Sequence, residues 1–511
     1  MAKTALHHRM LIYLGLGSLQ SALSLILLPA YAHILPVSEF GLLALVLSLE
    51  QLFLLLMDCG LSGGAVRTYH DKARQDLPFM TGPVLIGYFQ RLSLGISFAA
   101  MFVLAGVLLV LDQFFPQPEL VVSAFAITVV SAWLQRINTF AATTYRAQED
   151  ARSFAVLALA RMIGLTTLTL LLIFVFKVGL LGILASRIVI FGGTALYESR
   201  NAWKLRLTGE EHRRTKEFVR DSVKRFSVPM LPFDLLAWGR SRGNRLAVAG
   251  AFNLTALGIW NAAAAPGQIL TLVGQSFNRG FEPFFYRKAN EETAEAEAVV
   301  RDMGAGYLVV QAVLALGVIA VMPEVFRILF PKDYHSASLY APLALTAAFV
   351  EATQSLSIRA LFAFGAVRLV PVVLAVATGL GLSTMALLAH LFGLTGAMAG
   401  QVMMSVYGSV FAWFLVKRLH HTRFFPSRAA IMLTTVVTGA SLLPFAMPEF
   451  WMSAASIPVR GLIFGGAIVG IAWLFALRHP EFVLLVRERI NQDKGKIIRR
   501  GGGATSTGPQ G

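Results

Sequence analysis

The sequence predicts an all-α polytopic membrane protein: about fourteen transmembrane helices in two pseudo-symmetric six-helix bundles, followed by two C-terminal helices. Three observations carry that prediction. Of 511 residues, 56% are hydrophobic and only 14% charged, and mean hydropathy is +0.66; a soluble domain holds about 25% charged residues. Apolar runs long enough to cross a hydrocarbon core of about 30 Å as helices recur along almost the whole chain. Several positions of the first half also return in the second half at one common displacement.

The apolar spans lie near residues 10–32, 40–62, 82–111, 119–142, 153–176, 179–198, 226–249, 254–281, 303–322, 338–362, 367–391, 393–416, 430–447 and 457–477. The eleventh and twelfth are divided by little more than Phe392-Gly393. At the N-terminus, Lys3 and Arg9 precede an apolar run, and Ala30-Tyr31-Ala32 mimics a cleavage site. That run is longer than a signal core of about 7–15 residues, so an uncleaved first helix is expected. Loop charge sets the orientation. One side collects Arg67, Lys72, Arg74, Arg146, Arg152, the stretch Lys204–Arg225, Arg287, Lys288, Arg301, Arg368, Lys417, Arg418 and Arg423, together with both termini. The other side shows only Lys177, Arg327, Lys332 and Arg460. Both termini are therefore expected in the cytoplasm, with an even number of spans.

The boundaries follow. Residues 1–200 form an N-terminal six-helix lobe and 201–225 a charged cytoplasmic linker, read as a solvated or interfacial hinge. Residues 226–416 form a second six-helix lobe, 417–477 two additional spans, and 478–511 a basic, partly disordered tail that opens with the amphipathic EFVLLVRERI. The internal repeat rests on Gly41, Gln51, Gly63 and Tyr69, which recur together as Gly258, Gln268, Gly280 and Tyr286. Tyr145-Arg146-Ala147 and Ile358-Arg359-Ala360 match after a short insertion or deletion. A repeat of six helices preserves orientation, so the halves relate by an axis along the membrane normal, with a substrate expected at their interface.

The chain is organised around residues 226–288, where two spans meet at a polar turn near 252–254. A charge at mid-membrane costs at least about 2.5–3.5 kcal/mol and marks a bundle interior or a water-filled path. The seventh span carries Asp234, Arg240, Arg242 and Arg245, and the eighth ends with Arg279 and Glu282. At about 100° per residue, Asp234, Trp238, Arg242 and Arg245 share roughly one quarter of their helix, while Arg240 points elsewhere. Pro229 and Pro232 can kink that helix. Guanidinium groups bind phosphate through a planar, bidentate fork. The cavity reading is the stronger for Arg242 and Arg245; snorkelling toward the outer helix end is the alternative.

Further in-span charges are Glu50, Asp58, Arg136, Arg161, Arg187, Glu351 and Arg359. Arg187, nearest mid-span, is a candidate cavity residue. Arg279, Arg359 and Arg136 fall toward helix ends, where snorkelling is the better reading. Glu50 and Asp58 share one side of the second span, as charge-balancing partners of arginines or as sites for a coupling proton or cation. A cationic lumen favours phosphate-bearing substrates over cationic drugs. Phosphate-loop, HExxH, CxxC and GxSxG patterns are missing, and the histidines show no ligand spacing, so neither enzyme, metal site nor cofactor is expected. Cys59 is the single cysteine, which excludes an internal disulfide. The net charge of +16 reflects loop bias rather than nucleic-acid binding.

Taken as a series, LPVSEFGLLAL (35–45), LMDCGLSGGAVRTY (56–69), YRAQEDARSF (145–154), the stretch FSVPMLPFDLLAW to GNRLAVAGAFNLTALGIWNAA, and LFPKDYHSASLYAPLAL (329–345) resemble the polysaccharide-transport flippases of the superfamily that includes multidrug-and-toxin extruders. The family often has an acidic residue where this chain has Asn244, which leaves Arg245 freer for phosphate or passes the balancing role to Asp234. The resemblance implies translocation of undecaprenyl-pyrophosphate-linked oligosaccharide across the bacterial inner membrane, by alternating access, for O-antigen, capsule or exopolysaccharide assembly. It implies the sugar-lipid and membrane lipids as partners, and a polysaccharide polymerase as a neighbour. The alternatives are a cation-coupled small-molecule exporter of the same architecture and a membrane glycosyltransferase or polymerase.

Overall fold

The computed structural model describes residues 2–71, 79–114, 118–200, 208–289, 291, 293–419 and 424–478. Lys72, Arg74, Lys204, Arg206, His420, His421, Arg423 and the tail beyond 478, with its amphipathic stretch, lie outside the described residues. The described chain is helical throughout, with no strand among the described residues.

In chain order the helices are α1 (Ala2–Ile34), α2 (Val37–Asp58), the short α3 (Leu61–Tyr69), α4 (Gly82–Phe114), α5 (Glu119–Ala147), α6 (Ala151–Leu170) and α7 (Leu180–Ser199). Next come α8 (Gly209–Ser222), α9 (Val228–Ala251), α10 (Leu254–Ala289), α11 (Ala294–Ala320) and the short α12 (Met322–Leu329). Then follow α13 (Ala337–Ala363), α14 (Val370–Arg418), α15 (Ser427–Ala446), the short α16 (Pro448–Met452) and α17 (Ile457–Arg478). Helix α14 breaks at Gly393, whose φ of 63° belongs to the left-handed region; glycine occupies it without steric penalty. Every expected span therefore has its helix. Among the described residues, eleven helices are long and apolar enough to cross a membrane, with 367–418 taken as one across that break. Helices α9 and α13 have the length but are more polar.

One span boundary needs correction. The second span was expected to run to about residue 62; α2 instead ends at Asp58, because Cys59 and Gly60 both adopt positive φ, 46° and 70°. Cys59 thus sits in a turn rather than inside a span. The part of the charged linker that lies within the described residues, 208–225, is helical from Gly209 and largely exposed. Helix α8 continues through a π-helical turn, Val223–Ser227, directly into α9, and Val219 packs into a cluster with Leu61, Leu85, Phe89 and Phe140. Helix formers and one apolar stripe outweigh the linker's charge.

Helices α2, α4, α5, α6 and α7 pack on one another, and α10, α11, α13, α14, α15 and α17 form a second packed group. The groups meet chiefly where α2 crosses α10 and α9. The α2–α10 crossing is built from repeat-related residues. A Cβ on Gly41 would stand 1.8 Å from the Leu254 carbonyl oxygen, and one on Gly258 would stand 2.2 Å from the Val37 carbonyl oxygen. Val37 and Leu254 are each the first residue of their helix and are separated by the same displacement as the two glycines. The repeat inferred from sequence is thus visible as a two-fold contact, and only glycine admits so close a backbone approach.

The C-terminal helix is anchored by one cation. Arg460 on α17 is 4% exposed and forms a bidentate pair with Glu324 at 2.5 and 3.0 Å. It also donates to the Ala320 carbonyl at 2.8 Å and lies 5.2 Å from the Trp451 ring centroid. Removing one partner of a buried pair typically costs about 3–5 kcal/mol. Arg460→Met is expected to lower the melting temperature in detergent by several degrees, and an unchanged melting temperature would deny α17 this anchor.

Candidate cavity between the two helix groups

A cavity of about 510 Å³ lies between the groups, walled by α1, α2, α5, α6, α7, α9 and α10. A larger one of about 770 Å³ sits at the edge, among α11, α15 and α17. We take the smaller as the candidate site, because it lies against the α2–α10 crossing and holds five of the in-span charges. Its walls carry four guanidinium groups, Arg161, Arg187, Arg242 and Arg245, against one carboxylate, Glu50.

The basic groups come in two pairs. Arg161 of α6 and Arg187 of α7 flank one ring, with their guanidinium carbons 5.2 and 5.0 Å from the Phe191 centroid. The ring's negative face offsets part of the repulsion between them. Arg187 is held in a bidentate pair by Glu50, which is 1% exposed and also accepts from Ser131 Oγ at 2.6 Å. Arg161 Nε is buried without a hydrogen-bond acceptor. On the opposite wall, Arg242 and Arg245 lie one turn apart on α9. Arg245 is 8% exposed, stands over Trp260 at 5.4 Å, and reaches only neutral acceptors, Asn261 Oδ1 at 3.4 Å and the Ser241 carbonyl at 3.3 Å. Neither Arg242 nor Arg245 has a carboxylate partner among the described residues. An uncompensated buried cation is costly, so three of the four guanidiniums are poised for an anion.

The other nominated residues lie elsewhere. Arg240 faces away from this cavity and pairs with Glu351 at 3.2 Å and with the Gln354 side chain. Asp234 is not on the cavity wall, although the helical-wheel reading grouped it with Arg242, and Trp238 donates to the Ser48 carbonyl at 3.0 Å. Arg279 is exposed. Glu282 accepts from Tyr286 at 2.8 Å and meets Arg359 at 3.4 Å. Arg359 also donates to the Asn278 carbonyl at 3.3 Å. Asp58 pairs with Arg136 at 2.7 Å and accepts from Ser62 Oγ at 2.7 Å. Arg136 is fully buried, which corrects the snorkelling reading: its charge is met across the helix packing by α2.

Sequence reasoning noted Arg161 as an in-span charge but did not nominate it. Its isolation in an otherwise apolar helix was the available signal. It also treated Gln51 and Gln268 as repeat markers only, yet both line the cavity. Glu50→Leu, which strands Arg187, is expected to cost about 3–5 kcal/mol. Glu50→Gln retains a hydrogen-bonding acceptor and is expected to cost less. Melting temperatures in detergent compare them, and equal values would show that the charge pair does not matter.

Solved structures with the same overall fold are membrane transporters. The lipid II flippase MurJ, in an inward closed conformation, superposes with a TM-score of 0.63 at 11% identity, covering 93% of this chain and 99% of that one. An inward-facing multidrug resistance MATE family transporter of the MOP superfamily gives 0.58 at 12% identity, over 79% and 95%. A Vibrio cholerae MATE transporter, VcmN in mutant form, gives 0.53 at 16% identity, over 83% and 98%. No curated protein matches the chain in sequence. The class is therefore a polytopic membrane protein of transporter fold. Residues 8–279 match the family described as Polysaccharide biosynthesis protein, and the chain belongs to that family.

Proposed function

We propose that the protein flips an undecaprenyl-pyrophosphate-linked oligosaccharide across the bacterial inner membrane, for assembly of a surface polysaccharide. Residues 1–200 and 226–416 act as two lobes that rock about the α2–α10 crossing, with both termini on the cytoplasmic side. The observation that carries this reading is the cavity lined by four guanidiniums and one carboxylate. A diphosphate offers several acceptor oxygens to such a set, and charge-assisted bonds to guanidinium are short and strong. The head group would ride in the cavity while the polyprenyl tail stays in the bilayer. Family membership and the likeness of fold to a lipid II flippase agree with the proposal. A cationic small molecule would meet net positive charge here, which disfavours the exporter alternative.

The test is translocation of a fluorescent polyprenyl-diphosphate sugar in proteoliposomes, read by exposure to a membrane-impermeant quencher with a proton or ion gradient supplied. Protein-dependent exposure supports flipping. Its absence with folded protein, together with efflux of a soluble cationic dye, would replace this reading with the exporter.

A further inference from the structure

We infer that Gln51 and Gln268 form a paired amide subsite for the hydroxyl and acetamido groups of the head-group sugar next to the diphosphate. The inference rests on the flippase reading and goes beyond the guanidinium pairs. Gln51 on α2 and Gln268 on α10 are separated by the displacement that relates Gly41 to Gly258. Each glycine packs against the backbone of the first residue of the other's helix, Gly41 against Leu254 and Gly258 against Val37. From that crossing each helix descends ten residues, about 15 Å, to its glutamine. Both glutamines line the cavity, and neither has a hydrogen-bond partner among the described residues. Gln135 lines the same cavity, and its Oε1 is buried with no donor.

A buried amide oxygen without a donor costs free energy, so Gln135 Oε1 calls for a donor, while the half-buried amides of Gln51 and Gln268 face the cavity with no protein partner to displace. The kind of occupant follows from donor and acceptor capacity. A diphosphate only accepts, and guanidinium only donates, so the arginines already match it. An amide presents both a donor and an acceptor, as hydroxyl and acetamido groups do. The glutamines therefore suit the sugar. Their two-fold relation has a consequence for transport. When the lobes rock, the two amides exchange surroundings, and one or both stay on the sugar throughout the transition.

The experiment measures binding by purified protein in nanodiscs to two probes: polyprenyl diphosphate bearing one N-acetylglucosamine, and sugar-free polyprenyl diphosphate. The wild type is expected to bind the sugar-bearing probe at least tenfold more tightly. The double change Gln51→Leu with Gln268→Leu is expected to abolish that preference and leave the Kd for the sugar-free probe unchanged. Gln51→Asn with Gln268→Asn, which keeps shortened amides, is expected to retain part of the preference and guards against misfolding of the leucine variant. Persistence of the preference in the leucine variant, equal loss of both probes, or no preference in the wild type would overturn the inference alone. A wild type that binds neither probe would remove the flippase reading, and this inference with it.

Discussion

Transport of the sugar-lipid is expected to fall by about a hundredfold or more when Arg242 and Arg245 are both changed to alanine, while the protein remains folded. A hydrogen bond to a charged group contributes about 1.5–3 kcal/mol. Two guanidiniums on one phosphate group are therefore worth about 3–6 kcal/mol, or roughly two to four orders of magnitude. The stability readout makes the prediction specific. Arg245 is buried with only neutral acceptors, so it is a cost in the empty protein. Its removal is expected to leave the melting temperature unchanged or to raise it. A structural arginine behaves in the opposite way, as predicted above for Arg460. Loss of transport accompanied by a fall in melting temperature would assign Arg242 and Arg245 to packing, and normal transport would remove them from the mechanism.

The contrast between these arginines shows what the sequence could and could not convey. The spans were legible because burial in hydrocarbon demands about twenty apolar residues, and nothing else in a chain has that length and composition. The break after Asp58 was not, because the residue that leaves the helix is Cys59, a side chain with no particular turn preference; Gly60 alone was too weak a signal. That Arg242 and Arg245 share one wall was legible because three-residue spacing on one helix fixes a common face. Asp234 failed by the same logic: a helical wheel gives direction but not depth, and the cavity does not reach that far along α9. The pairs Asp58–Arg136 and Glu50–Arg187 join helices distant in the chain, and no local spacing encodes such meetings. Gly41 and Gly258 lie between these cases. Each alone is one glycine among 44, but their shared displacement placed them at equivalent points of two helices, and the fold brings those points together.

That crossing carries the second large effect. Gly41→Ala combined with Gly258→Ala is expected to hold the lobes apart at the Val37–Leu254 end and to reduce transport at least tenfold. The added methyl groups would meet backbone carbonyl oxygens at 1.8 and 2.2 Å, and no side-chain rotation relieves a clash with backbone. Overpacking costs typically about 1–3 kcal/mol per site. Two sites together approach the roughly 5.5 kcal/mol that inverts a 99:1 equilibrium between two states. The strain applies only to the closed crossing, so the open arrangement gains population at its expense. Leu43 reports on this, because it is buried on the cavity wall close to Gly41. In a Cys59→Ser background, Leu43→Cys is expected to be shielded from a membrane-impermeant maleimide added at that face, and to be labelled rapidly once both alanines are present. Unchanged labelling with unchanged transport would mean that the crossing is a fixed joint, and the moving contact would then have to be sought at the other end of α2, where Gly60 and Gly64 pack against Ser227.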